Sequence, residues 1–151
     1  MNRKEKAREL FLNGYNCAQA VVLAFSDCLN IDKEQLEAIS SSFGGGLSRL
    51  RETCGCISAM AIILGSLNKC YDPLDNDAKS RHYANVQELA LKFKEKFNSY
   101  ICSDLLNIER KPETPIASIR NKNYYHNRKC ADYIEYMAGL IEEKLKEYGK
   151  N

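Results

Sequence analysis

The stretch from Ser41 to Gly65, SSFGGGLSRLRETCGCISAMAIILG, constrains this chain more than any other. Three consecutive glycines, Gly44, Gly45 and Gly46, form a backbone hinge. Glycine-rich backbone can approach another group closely or take positive φ. Two cysteines then flank a glycine at Cys54-Gly55-Cys56, and an apolar run of small residues follows from Ile57 to Leu64. A thiol at the start of a helix lies in the positive end of the helix dipole, which favours the thiolate. The combination reads as a cradle for a redox group or a soft metal rather than as ordinary core.

The rest of the composition makes those thiols stand out. At 151 residues the chain is expected to be a single domain, 1–151, able to bury a normal core without staples. Its seven cysteines are an odd number. The N-terminal stretch MNRKEKAREL is charged, with no signal-peptide core, and the longest apolar run, Ala59 to Leu64, is far too short to span a membrane. The expectation is a cytoplasmic protein with no membrane partner, where cysteines do not build a disulfide framework. The net charge of +2 implies no general attraction to polyanions.

Apolar periodicity gives an all-α fold of five to seven helices in one bundle-like domain, with no strand alternation. A short helix spans Asn2 to Asn13, with Ala7, Leu10 and Phe11 on one face and Gly14 ending it. A second begins at Cys17 with Asn16 as its N-cap and carries Ala20, Val21, Ala24, Phe25 and Cys28 on its apolar face. Asp32 to Ile39 is a weaker helix capped by Asp32, with Gln35 completing a capping box. After the glycine hinge, a helix runs from Thr53, as cap, to Leu67, with Gly65 placed for a close crossing. Lys69 to Asp77 is a loop. A long amphipathic helix covers Asn76 to Phe97 and buries Tyr83, Val86, Leu89, Ala90, Phe93 and Phe97. A short helix carries Cys102, Leu105 and Leu106, Glu109 to Pro115 is a loop, and a helical turn or two falls between Ile116 and Tyr125. The last helix spans Cys130 to Tyr148, striped by Tyr133, Ile134, Met137, Leu140, Ile141 and Leu145.

Mapped onto these helices, Cys17, Cys54, Cys102 and Cys130 each fall at or near a helix start. Four such thiols can converge if the N-termini point to one place, and the gathered dipoles would lower the thiol pKa values. Nothing in their spacing resembles the tight patterns of zinc fingers or bacterial ferredoxins, and buried free cysteine is common in cores. Cys28 is read as plain core, and Cys70 as an exposed thiol that is either incidental or a redox partner for Cys56.

The arrangement resembles the C_GCAxxG_C_C family of small redox-active proteins. The match rests on Gly14-Tyr15-Asn16-Cys17-Ala18-Gln19-Ala20, Phe43-Gly44-Gly45-Gly46, Cys54-Gly55-Cys56-Ile57-Ser58-Ala59, and then Cys102 and Cys130. It covers about Lys4 to Leu145. Two positions depart from the motif: Cys56 stands where it has alanine, and Ala59 where it has glycine. The first adds an extra thiol beside the centre; the second weakens the case for closest backbone approach at that point.

A similar domain occurs in split-Soret cytochrome c, associated there with an iron–sulfur centre, while the haem-binding part of that protein has no counterpart here. The resemblance thus implies Cys17, Cys54, Cys102 and Cys130 as the four thiolate ligands of a cluster, 2Fe–2S preferred, with Cys56 as an extra candidate. Backbone N–H groups of Gly44, Gly45, Gly46 and Gly55 would bind the cofactor by donating to its sulfurs. The implied function is electron transfer or sensing with a redox partner protein still to be found, the chain acting alone or as a homodimer.

Two other functions compete. A thiol–disulfide protein would use pairs drawn from the same cysteines and Cys56 without metal, though no Cys-x-x-Cys is present. A structural module would hold zinc in a four-cysteine site. No Ser/His/Asp set or phosphate loop stands out, so no catalytic residue is assigned. His82 and His126 have no ligand-spaced neighbour. The segment holding Arg120, Lys122, Tyr124, Tyr125, Arg128 and Lys129 is basic and aromatic; a solvated loop or a docking site for an acidic redox partner is preferred there over nucleic acid.

Overall fold

The computed structural model describes residues 1–68 and 72–149. Among them are eight α-helices and no strand. They are α1 (Arg3–Leu12), α2 (Cys17–Ala24), α3 (Lys33–Ser40), α4 (Gly55–Asn68), α5 (Asn76–Phe97), α6 (Cys102–Leu106), α7 (Lys122–Asn127) and α8 (Cys130–Glu147). The all-α expectation holds, with eight helices where five to seven were expected. Cys70 and part of the loop expected at Lys69 to Asp77 lie outside the described residues.

Helix α2 is the hub. Its sequence CAQAVVLA is apolar nearly all round, and Ala18 and Ala20 to Ala24 are all buried. A helix of that kind needs neighbours on every side, and α1, α3, α4 and α8 supply them. Helix α4 contributes Cys56, Ala59, Met60, Ile63 and Leu64 to the same core, and α8 adds Ile134, Met137, Ala138 and Ile141. Each fully buried aliphatic side chain of this size stabilises the fold by about 1.5–3 kcal/mol. Helix α5 lies outside, against α4 and α8, burying Leu89 and Phe93.

The helix starts follow from local chemistry. Asn2 and Asn16 each form a complete capping box, with Glu5 and Gln19 respectively. Asp32 accepts from the Gln35 N–H at 3.2 Å. Helix α4 differs from expectation: Thr53 pairs in an isolated antiparallel bridge with Ile101, and the cap is Cys54. The Cys54 carbonyl takes the first helical bond, from the Ile57 N–H at 2.9 Å.

Four further expectations are corrected. Helix α2 ends at Ala24, and Cys28 lies on a 3-10 turn (Ser26–Cys28), half-buried, with Arg3 donating to its sulfur at 2.9 Å. Tyr83 is 59% exposed, because the buried stripe of α5 begins about one turn later. A methyl placed on Gly65 would meet only His82 Nε2, at 3.9 Å, so no close crossing depends on it. The helix expected between Ile116 and Tyr125 is α7, which starts only at Lys122, where Asn121 accepts from the Tyr124 N–H at 3.0 Å.

Candidate functional site: a cysteine-ringed cavity

Cys17 opens α2, Cys102 opens α6, Cys130 opens α8, and Cys54 immediately precedes α4. All four line one cavity of about 210 Å³, together with Cys56. The packing that gathers them is backbone-driven. The Cys54 N–H donates to the Tyr100 carbonyl at 2.9 Å, and the Cys102 N–H donates to the Glu52 carbonyl at 2.6 Å. This two-sided clamp sets the start of α6 beside the start of α4. Helix α2 packs on α4 and brings Cys17; α8 packs on α2 and brings Cys130.

Two glycines permit the close approach. A methyl on Gly55 would collide with the Cys17 sulfur and lie 2.9 Å from the Phe43 carbonyl oxygen. A methyl on Gly46 would lie 2.5 Å from Cys102 Cβ and 2.7 Å from the Glu52 nitrogen. Gly44 and Gly45 line the cavity, and the Gly45 N–H donates to the Cys17 sulfur.

The glycine hinge is more constrained than its sequence suggests. Positive φ runs without a break through Gly45 (67°), Gly46 (63°), Leu47 (71°), Ser48 (51°) and Arg49 (69°), and returns at Arg51 (60°). This is one left-handed turn, closed by the Arg51 N–H on the Gly45 carbonyl and the Glu52 N–H on the Gly46 carbonyl. Left-handed geometry costs an L-residue about 1–2 kcal/mol. Three consecutive non-glycine residues held that way mark a segment whose shape is imposed by its surroundings.

Burial dominates the electrostatics. Helix starts were expected to lower the thiol pKa values, but Cys17, Cys102 and Cys130 are all raised, first because burial penalises the thiolate. Neighbouring sulfurs add to it at Cys17, and Cys130 is pushed up to about 12. Cys54 is the exception. The Cys56 S–H donates to its sulfur, and against the cost of burial the N–H groups of Cys56 and Ile57 donate too, holding it below its usual value. Cys56 is raised as the donor of that pair.

Arginines form the other part of the wall. Arg49, Arg51, Arg120 and Arg128 line the cavity, and among the described residues no Asp or Glu does. Arg51 is only 2% exposed; its Nε donates to Glu113 at 2.5 Å and its Nη1 to the Cys102 sulfur at 3.6 Å. Arg49 donates to the Thr114 carbonyl and to Ser118 Oγ, each at 2.7 Å. Arg120 and Arg128 lie over the Tyr124 ring, 4.6 and 4.4 Å from its centroid. Arg120, Tyr124 and Arg128 of the basic aromatic segment thus line the cavity, while Lys122 and Lys129 are exposed as in a solvated loop. The sequence signal was the clustering of Arg120, Tyr124, Tyr125 and Arg128, which carries no information about what it faces.

Among the described residues, no group of three or more His, Cys, Asp or Glu side chains is close enough to hold a single metal ion. The sulfurs share the wall of one cavity, which leaves room beside them for a bound group. The donor set also fits: four soft thiols from four elements, buried where a bound cation would replace their protons.

An all-α domain with a ring of cysteines at helix starts defines a class of small cysteine-centred helical proteins. The chain belongs to one such family. Residues 15–144 match the family model C_GCAxxG_C_C, described as "putative redox-active protein". No curated protein and no solved structure matches the chain. No helix among the described residues is long and apolar enough to cross a membrane.

Proposed function

We propose that Cys17, Cys54, Cys102 and Cys130 hold an iron–sulfur cluster of the 2Fe–2S type and that the protein transfers or senses single electrons. The observation that carries this is the meeting of four helix-start sulfurs on one cavity wall. A cluster supplies a reversible one-electron couple when bound. The chain's own residues do the rest. Gly45, Cys56 and Ile57 donate N–H groups to Cys17 and Cys54, and Arg51 donates to Cys102. Such donors favour extra negative charge on sulfur and so raise a reduction potential. The walls from α2, α4 and α8 bury Cys54 and Cys56 and leave Cys17, Cys102 and Cys130 half-buried on the cavity. A redox partner protein would meet the centre at the arginine-lined side of the cavity; whether two copies of the chain pair there is a further part of the proposal.

A metal-free dithiol is the second function, favoured by one contact: the S–H of Cys56 already donates to the Cys54 sulfur. Two thiols so placed can lose two electrons and two protons to a disulfide-bearing oxidant and form their own disulfide.

A cysteine-to-serine series separates these. With a cluster, Cys54→Ser, Cys17→Ser, Cys102→Ser and Cys130→Ser each lose colour and bound metal, while Cys28→Ala keeps both. With a dithiol, Cys54→Ser and Cys56→Ser alone abolish the oxidant-dependent change in free-thiol count. A Cys54→Ser protein that still held a full cluster would rule out the proposed ligand set.

A further inference from the structure

We infer that the cavity also binds a small anionic molecule bearing a carboxylate or phosphate-like group, held at Arg120 and Arg128 with Arg49 beside them. This goes beyond the redox centre and does not depend on which group the cysteines hold. Four guanidiniums line the cavity, and the carboxylate that answers them is Glu113. Glu113 pairs with Arg51 at 2.5 Å and with Arg49 at 3.6 Å. Among the described residues, no carboxylate lies in ion-pair range of Arg120 or Arg128. Arg120 spends its donors on neutral oxygens: the Phe11 and Tyr15 carbonyls, at 3.4 and 3.3 Å, and the Tyr125 hydroxyl at 3.5 Å.

Both cations are nonetheless held at one place, over the single ring of Tyr124. Tyr124 is half-buried, and it feels the nearby sulfurs of Cys130 and Cys17 as well as both arginines. Two like charges fixed on one ring of the cavity wall repel each other, and an anion in the cavity beside them lowers that repulsion. Guanidinium is the cation suited to this role, since its planar fork binds carboxylate and phosphate oxygens in pairs. The stacking on Phe11 (4.8 Å) and Tyr124 fixes the Arg120 fork before any ligand arrives. The bound anion would then lie in the same cavity as the cysteine sulfurs, where a molecule exchanging electrons with them would have to be.

The test is isothermal titration calorimetry at low ionic strength with two probes, succinate and inorganic phosphate, on the full chain purified without oxygen. Wild type should bind one probe saturably, and which one binds assigns the carboxylate or phosphate class. Arg128→Gln should weaken that binding at least tenfold, with its helical circular dichroism unchanged. Arg81→Gln, which removes the same charge from an exposed position on α5, should not. Arg120→Lys keeps the charge but loses the fork, and should also weaken binding. Binding of neither probe, or equal binding by wild type and Arg128→Gln, would overturn the inference. So would binding confined to metal-stripped protein, because the arginines would then be balancing only the charge of the redox centre itself.

Discussion

Gly55 shows how a single hydrogen atom holds the site open. Replacing a glycine near a helix start with alanine normally gains up to about 1 kcal/mol in helix propensity. Here the new methyl would meet backbone, the Phe43 carbonyl oxygen at 2.9 Å and the Ala18 nitrogen at 3.2 Å, as well as the Cys17 sulfur. Backbone cannot swing aside, so overpacking of about 1–3 kcal/mol outweighs the propensity. Gly55→Ala is expected to lower the urea midpoint and to reduce retained metal; a midpoint at or above that of wild type would contradict the contact. Arg51→Gln tests the opposite wall. It leaves Glu113 and the Cys102 sulfur without their shared donor, at a cost of about 2 kcal/mol. In the metal-loaded protein it should also lower the reduction potential. Unchanged stability and potential together would show that Arg51 touches neither group in solution.

Among the elements, the helix starts were legible because capping is local. Asn16 and Gln19 are three residues apart, and that spacing alone announces where α2 begins and therefore where Cys17 points. The start of α4 was missed by one residue, because cysteine is not an expected cap and Thr53 is. The left-handed turn was only half legible. Gly45 and Gly46 advertise positive φ, but nothing in Leu47, Ser48 or Arg49 does, and their geometry is imposed by the bonds from Arg51 and Glu52 back to the glycines. That imposed geometry carries a prediction. Leu47 is 41% exposed, so Leu47→Gly gives up part of a leucine's burial and removes the left-handed strain set against it. It should raise stability by up to about 1 kcal/mol in urea denaturation; a clear loss would mean that the Leu47 side chain is held by contacts worth more than the strain.

For the molecule as a whole, all-α architecture followed from apolar spacing, since α5 and α8 carry the helical period on their own. The arginine wall did not. Arg49 and Arg51 come from one segment and Arg120 and Arg128 from another some seventy residues later, and no periodicity links them. The same long-range pairing governs acid stability. Asp27, Glu88 and Glu113 are held below their ordinary values of 3.8 and 4.5, first by hydrogen bonds from Arg3, Lys144 and Arg51 respectively. A carboxylate depressed in the folded state contributes stability above its unfolded pKa, and that contribution is lost as pH falls through the folded value. The melting temperature should therefore hold near neutrality and fall progressively below about pH 4.5. Glu88→Gln should flatten part of that fall, because Lys144, 6% exposed, keeps Glu147 at 2.8 Å. A profile as steep as that of wild type would remove Glu88 from this role.

The central claim is that the cysteine ring holds iron and sulfide. Its most direct test is the visible absorption spectrum of protein purified without oxygen, with iron, zinc and acid-labile sulfide counted in the same sample. The expected result is a brown protein with iron and sulfide in equal amounts and no zinc. A colourless protein that carries zinc, or that carries no metal and takes up no cluster from added iron and sulfide, would contradict it.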